Sequence, residues 1–245
     1  MFRTVYLKSL YDARRGLLGW SAAIVALVLV ECALWPAVRD LRGPNTGAGF
    51  LNHQLFTLVL PALFVAYGVG HGARTLAGEA ERGTLELLFA TPVSGARIVC
   101  EKALALASSV AVLGLAVFAA TTAGSEIFAL GITAADAAGG ALATTLLGLE
   151  YGVLALAVGA LTGRRSAAVG VAAAAATAAY LVHIAGDAVP RLASWQPYSP
   201  VHQAIGNGPL GAGLQLSYLW LLAGAAGLLI VALPALDGRD ISTSR

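Results

Sequence analysis

Six long apolar runs are the feature that most limits how this chain can fold. One of them, from Ala103 to Ala123, contains no Asp, Glu, Lys or Arg. A helix needs about 20 predominantly apolar residues to cross a bilayer, and each run meets this length. The predicted spans are residues 17–38, 51–73, 98–123, 138–161, 166–186 and 214–236. The sequence therefore predicts an all-α integral membrane protein, with residues 1–245 forming a single transmembrane domain.

The amino-acid composition also indicates a membrane protein, and it argues against a nucleic-acid-binding protein. Hydrophobic residues make up 58% of the chain and charged residues 11%, whereas about a quarter of an average soluble protein is charged. The 29 glycines and many alanines indicate helices that pack through small residues. A net charge of +2, with basic residues spread over short loops, excludes a nucleic-acid-binding surface.

The distribution of basic residues predicts the topology. Of the 15 Lys and Arg residues, only Arg39, Arg42 and Arg191 lie in the three connections on one side of a six-span arrangement. The others lie in the two termini, the segment between spans two and three, and the turn at 164–165. Because cytoplasmic loops carry the excess of positive charge, we expect a multi-pass protein of the cell (plasma) membrane with both termini in the cytoplasm.

The first 16 residues predict an interfacial helix. Phe2, Val5, Tyr6 and Leu10 recur at helical spacing, with charged residues between them. This pattern is typical of an amphipathic helix lying on the cytoplasmic leaflet. An ordinary basic flank to the first span is the alternative interpretation.

The segment between spans two and three holds more charged residues than either terminus or any other connection. It runs from Arg74 to Lys102 and holds eight of the 28 charged residues; we call it the coupling segment. The residues of this segment follow a specific order. An acidic pair (Glu79 and Glu81) is followed by Gly83-Thr84, then by an apolar run with one carboxylate at 85–89, and then by Thr91-Pro92, which favours a helix start. A polar loop of this kind between two spans predicts a cytoplasmic docking surface.

The same segment carries a family resemblance. The pattern E-x-E-R-G-T-L-E-L-L-x-A-T-P-V-S, from Glu79 to Ser94, resembles the signature cytoplasmic loop of ABC-2 type transporter permeases. The stretches 14–20, 198–200 and 207–210 are also similar to members of that family. Gly95 departs from it, because many relatives carry a basic residue there, and Arg97 supplies a charge two positions later.

The resemblance implies a partner for this chain. A separate ABC ATP-binding protein would bind ATP and Mg²⁺, and a second permease subunit, identical or related, would complete the substrate path within the membrane lipids. The implied coupling residues are Glu79, Glu81, Arg82, Gly83, Thr84, Glu86 and Pro92. A P-loop requires G-x-x-x-x-G-K-[ST], and neither Lys8 nor Lys102 lies in such a pattern. We therefore expect no catalytic residue, metal site or cofactor in this chain.

Two carboxylates fall inside predicted spans. Glu31 and Glu150 would cost several kcal/mol at the centre of a bilayer unless they are paired or wetted. They are candidates for the polar lining of a substrate path; the alternative is a structural carboxyl that is hydrogen-bonded between helices. His71 and His183 lie near opposite ends of different spans, which favours separate hydrogen bonds over a shared metal site.

Two other functions remain open from the sequence. An intramembrane enzyme acting on a lipid-linked substrate would need clustered acidic or histidine residues, and the sequence shows no such cluster. A non-transporting subunit that relays ATPase motion to an external partner would need an external surface. The segment 187–213, where four prolines predict short helices or a re-entrant loop, is the candidate for that surface.

Overall fold

A computed structural model describes residues 5–39, 46–81 and 94–235, which form helices joined by turns and contain no β-strand. The α-helices are α1 (Val5–Val38), α2 (Gly47–Leu51), α3 (Val59–Thr75), α4 (Ala77–Glu81), α5 (Gly95–Ile127), α6 (Ala134–Thr162), α7 (Arg165–Ala188), α8 (Pro200–Ile205) and α9 (Tyr218–Ala232). A π-helical turn covers Asn52–Phe56, and 3-10 turns cover Ala193–Tyr198 and Leu233–Ala235.

The structure confirms the all-α class and the six spans. Six helical stretches are long and apolar enough to cross a membrane: α1, α2 to α3, α5, α6, α7, and α9 with its 3-10 extension. The second span is interrupted at Thr57 and Leu58, four and three residues before Pro61. A proline has no N–H to donate to the carbonyl four residues earlier and collides with it, so Pro61 accounts for this break.

The N-terminus differs from the prediction. Residues 5–16 are not a separate interfacial helix, because α1 continues without a break for 34 residues, about 51 Å at 1.5 Å per residue. Tyr6 fastens this first part to α5: its amide donates to Glu101 Oε2 at 3.1 Å, and its hydroxyl lies 3.1 Å from Ser108 Oγ. No proline interrupts the helix between Val5 and Trp35, so α1 extends past a hydrocarbon core of about 30 Å.

Consecutive spans run antiparallel and give the bundle two ends. The loop end holds the start of α1, the end of α3, the start of α5 and the turn between α6 and α7. The far end holds the opposite termini of these helices and the short helices of 187–213. There, the Asn52 side chain accepts from the Leu210 amide at 3.0 Å and donates to its carbonyl at 2.7 Å.

The closest helix pair is α3 with α6, and glycines form their contact. Gly68 and Gly72 face Gly148 and Gly152, each pair spaced four residues apart on one helix face. A Cβ added at Gly68 would meet the carbonyl of Gly148, and one at Gly72 would meet the carbonyl of Gly152. Small residues at this spacing allow the two backbones to approach closely. We call this contact the glycine seam.

The other helices are arranged around the seam. Helices α3, α5 and α6 are the more buried spans, whereas α1, α7 and α9 turn most of their surface outward. The main apolar core lies between α1, α3, α5 and α6, with Phe56, Phe64, Leu106 and Leu113 fully buried in it. A second cluster joins α3 and α6 to α7, α8 and α9.

We expect a methyl group added in the glycine seam to destabilise the protein. Gly72→Ala should lower the free energy of unfolding by about 1–3 kcal/mol, because backbone atoms of α6 have to move to admit the methyl. Gly70→Ala is the matched control on the same helix, where the nearest atom to an added Cβ is the flexible end of Arg74 at 3.5 Å. This control should be neutral or slightly stabilising, since alanine favours helix over glycine.

The measurement is the unfolding temperature of both variants in detergent, followed by intrinsic fluorescence. Equal stability of Gly72→Ala and Gly70→Ala would show that α3 and α6 are not in backbone contact.

Candidate functional site

The coupling segment enters and leaves the described structure at one place on the loop end. It begins in α3 and α4 and resumes at Ser94. Of the residues predicted to couple to an ATPase, Glu81 is described in full and is exposed. Glu79 lies in α4, but its side chain is outside the described part of the chain, as are Arg82, Gly83, Thr84, Glu86 and Pro92.

Both ends of the segment pack into a single apolar cluster. Leu76, where the chain leaves α3, and Ile98 and Val99, in the first turns of α5, are buried together with Leu156 and Ala160 of α6. Ala77 also lies against α6, where a Cβ at Gly159 would be 3.3 Å from its own Cβ. We call this group the loop-end cluster. It fixes the two ends of the segment to the same helix.

Ser94 and Arg97 set the start of α5. Ser94 is the N-cap of the helix, and its Oγ accepts from the Arg97 amide at 3.4 Å. The Arg97 guanidinium donates to Glu101 Oε1 at 3.0 Å, and Glu101 Oε2 accepts from Tyr6 of α1. The charge predicted to replace the missing basic residue at Gly95 is therefore paired within the chain.

Glu81 links the segment to α7. Its Oε1 accepts from the backbone N–H of Arg165 at 2.8 Å, in the first turn of that helix. The N-cap of α7, Arg164, makes no side-chain capping bond of its own, so the Glu81 carboxylate satisfies a donor that the helix start leaves open. A negative charge at a helix N-terminus is also favoured by the helix dipole.

The turn before α7 is tight. Gly163 closes α6 with a φ of 64°, in the left-handed region that glycine enters without strain. The turn thus places the open amide of Arg165 within reach of α4.

Glu150 lies in the middle of α6 and faces α9. Its carboxyl group lies against Gly224, where an added Cβ would be 3.0 Å from Glu150 Cδ. Its Oε2 is buried and makes no hydrogen bond to any described residue. A buried carboxyl oxygen without a partner costs free energy, so this group is not explained by a structural hydrogen bond.

Glu31 is the second orphaned carboxylate. Its Oε2 is also buried without a hydrogen-bond partner in the described residues. Glu31 lies seven residues from the end of α1, and Glu150 lies sixteen residues from the start of α6. Because α1 packs mainly on α5, the structure does not bring the two carboxylates together.

The histidines occupy different environments. His71 stacks on Tyr67 with ring centroids 5.8 Å apart near the loop end. His183 lies at the far end, where its Nδ1 is 3.1 Å from Nδ1 of His202. The sequence analysis did not identify His202, which reaches this position through the short helix α8. Within residues 5–39, 46–81 and 94–235, no three His, Cys, Asp or Glu side chains form a group that holds a metal ion.

A comparison with protein families gives a match over most of the chain. The model described as "ABC-2 family transporter protein" matches residues 24–207, from within the first span to two residues past the end of α8. A comparison with curated proteins gives no match.

The link between Glu81 and α7 yields a prediction. Glu81→Ala should leave the Arg165 amide without its acceptor, at a cost of about 1 kcal/mol for a lost helix cap. Local opening of the first turn of α7 should then be about fivefold more frequent. Hydrogen exchange measured by mass spectrometry on peptides covering 163–168 reports this opening.

Glu126→Ala is the control, because Glu126 is an exposed carboxylate at the far end of α5. It should leave exchange in 163–168 at the wild-type rate. If Glu81→Ala also left that rate unchanged, α4 would not cap α7.

Proposed function

Because the chain belongs to the ABC-2 family transporter proteins, we propose that it is the transmembrane permease subunit of an ATP-driven exporter. A separate ABC ATP-binding protein would bind ATP with Mg²⁺ and hydrolyse it. This chain would form the substrate path and switch its access without taking part in a covalent step.

The attachment of the coupling segment supports this proposal. Both ends of the segment are held in the loop-end cluster, and Glu81 connects it to the first turn of α7. A displacement applied between residues 81 and 94 therefore acts on α6 and α7 directly. Close-packed helices transmit such a displacement because their interiors compress little. An attachment of this kind suits a segment that an ATPase pushes on.

The docking surface would be formed by the coupling residues. The carboxylates of Glu79, Glu81 and Glu86 favour a basic or polar groove on the ATP-binding protein. Arg82, Thr84 and Pro92 would shape the same surface, and Gly83 would supply a backbone conformation open mainly to glycine.

The substrate path would be completed by a second subunit. Helices α1, α7 and α9 expose most of their surface, and a second permease, identical or related, would cover part of it. Glu150 and Glu31 each keep a buried carboxyl oxygen without a partner. We propose them as polar lining of the path, with Glu150 the stronger candidate because it lies at mid-span.

The two other functions considered from the sequence gain no support. An intramembrane enzyme would need its carboxylates close together. Glu31 lies on α1 and Glu150 on α6, and these two helices have little contact with each other. The far-end segment that an external partner would contact is held against the bundle through Leu210 and Asn52.

The test is co-purification of the chain with its ABC ATP-binding protein. Replacing Glu79, Glu81 and Glu86 by Lys should weaken retention of the ATPase about tenfold or more, while the spans fold as before. The double change at positions 79 and 86 separates docking from the capping role of Glu81. Glu126→Lys, at the far end, is the control and should retain the ATPase fully.

Gly83→Val should act differently from the charge reversals. It removes no charge, so the ATPase should be retained, but permease-stimulated ATP hydrolysis should fall because valine disfavours the glycine conformation. Wild-type retention and wild-type stimulation in the triple charge reversal would remove the coupling segment from the mechanism.

Glu150 is tested in the same preparation. Glu150→Gln keeps hydrogen bonding and should retain the ATPase while changing stimulated hydrolysis or substrate range. A Glu150→Leu protein that is more stable and fully active would contradict a polar path at this position.

A further inference from the structure

A cavity lies within the subunit, between α1, α3 and α5 near the loop end. Its volume is about 390 Å³, in the range of small-molecule sites. We call it the basic cavity, and its characteristic lining residues are Asp12, Trp20, Tyr67, His71, Arg74 and Lys102. It is separate from Glu150, which faces α9 on the other side of α6.

Two buried polar groups in the cavity lack a well-formed hydrogen bond. Tyr67 is only 7% exposed, and its hydroxyl lies near the Ser109 side chain without making a hydrogen bond of good geometry to the described residues. The Nε2 atom of His71 is likewise buried and unpartnered. Buried polar groups in native proteins are almost always hydrogen-bonded. Hydrogen bonds from the Tyr67 hydroxyl and the His71 imidazole to a bound molecule would explain why both side chains line the cavity.

Ring contacts fix these groups in place. Tyr67 packs edge-on against Trp20, with centroids 5.7 Å apart, and is stacked on His71. The hydroxyl and the imidazole are therefore presented by a rigid wall formed by α1 and α3. A site whose donors are held in position loses little entropy on binding.

The charges in the cavity select the kind of ligand. Arg74 of α3 and Lys102 of α5 place two cations on the lining, and Lys102 is only 4% exposed. The Nε of Arg74 donates to the Gly70 carbonyl at 2.9 Å, which holds the side chain along α3, and its guanidinium has further donors. Arginine and lysine are the residues that bind phosphate oxygens. Asp12 adds one carboxylate on α1, which suits an amine beside the phosphate.

The position of the cavity selects the source of the phosphate. It lies where α1, α3 and α5 reach the loop end, and Trp20 and Leu17 form apolar parts of its wall. Tryptophan is enriched at the level of lipid headgroups, and Leu18 next to this wall is exposed on the surface of α1.

We propose that the basic cavity binds the phosphate-bearing headgroup of a membrane lipid. Arg74 and Lys102 contact the phosphate, Tyr67 and His71 donate or accept hydrogen bonds, and Asp12 admits an amine. This site does not depend on the proposed transport function, since all of its residues belong to one subunit.

The experiment measures lipid binding to the purified full-length chain by native mass spectrometry in detergent. Phosphatidylethanolamine should bind, and diacylglycerol with the same acyl chains, which lacks the phosphate, should not. Tyr67→Phe should weaken binding of phosphatidylethanolamine about tenfold, the worth of a hydrogen bond to a charged group. Arg74→Gln should weaken it by at least as much.

Arg97→Gln is the matched control, because Arg97 is a cation at the same end of the bundle that does not line the cavity. It should bind the lipid like the wild type. The variants also need a folding readout. Without lipid, Tyr67→Phe should unfold close to the wild-type temperature, because the hydroxyl that it loses makes no well-formed hydrogen bond within the protein. With lipid, it should gain less stability than the wild type.

Two results would overturn the proposal. One is equal lipid binding by the wild type, Tyr67→Phe and Arg74→Gln. The other is binding of glycerophosphoethanolamine as tight as that of the lipid, because the acyl chains would then contribute nothing and the cavity would be a site for soluble phosphate esters.

Discussion

The backbone contact between α3 and α6 is the constraint on which the rest of the bundle depends. In a bilayer no hydrophobic force drives one apolar helix onto another, so association relies on close packing. Gly68 and Gly72 provide it by allowing the carbonyls of Gly148 and Gly152 to come within contact distance. With α3 and α6 fixed in this way, α5 and α7 pack against them and complete the interior.

The functional parts follow from this arrangement. The coupling segment leaves α3 directly beyond the glycine seam, and its return into α5 meets α6 again in the loop-end cluster. Glu81 adds the connection to α7. One rigid pair of helices therefore joins the proposed ATPase-docking surface to Glu150, which lies between Gly148 and Gly152 on α6. The Glu150 carboxyl and the proposed docking segment are therefore connected through the same helix pair.

Much of the fold could be predicted from the sequence because the bilayer sets the length of each apolar run. The six spans were found in this way. The sequence does not show which glycines form the contact between α3 and α6, although the four-residue spacing is visible at positions 68 and 72 and at 148 and 152. With 29 glycines in the chain, spacing alone does not say which pairs meet. The continuation of α1 through residue 16 depends on contacts of Tyr6 with α5, which no local pattern contains.

The candidate site was predictable only in outline. The number of charged residues between two apolar spans marked the coupling segment, and apolar surroundings marked Glu31 and Glu150. The contact of Glu81 with Arg165 joins residues 84 positions apart, so it leaves no trace in local sequence. The pairing of His183 with His202, and the meeting of Tyr67, Arg74 and Lys102 around one cavity, are likewise products of tertiary packing.

The central claim is that ATPase motion reaches this permease at the loop end, which requires that end to face the cytoplasm. The direct measurement is thiol labelling of intact cells with a membrane-impermeant reagent, in a background with Cys100→Ser, because Cys100 is exposed and Cys32 is buried. Ser94→Cys marks the loop end and Glu126→Cys the far end, both at exposed positions. We expect labelling at position 126 alone in intact cells, and at both positions once the cells are opened. Labelling at position 94 alone in intact cells would place the coupling segment outside and contradict the account.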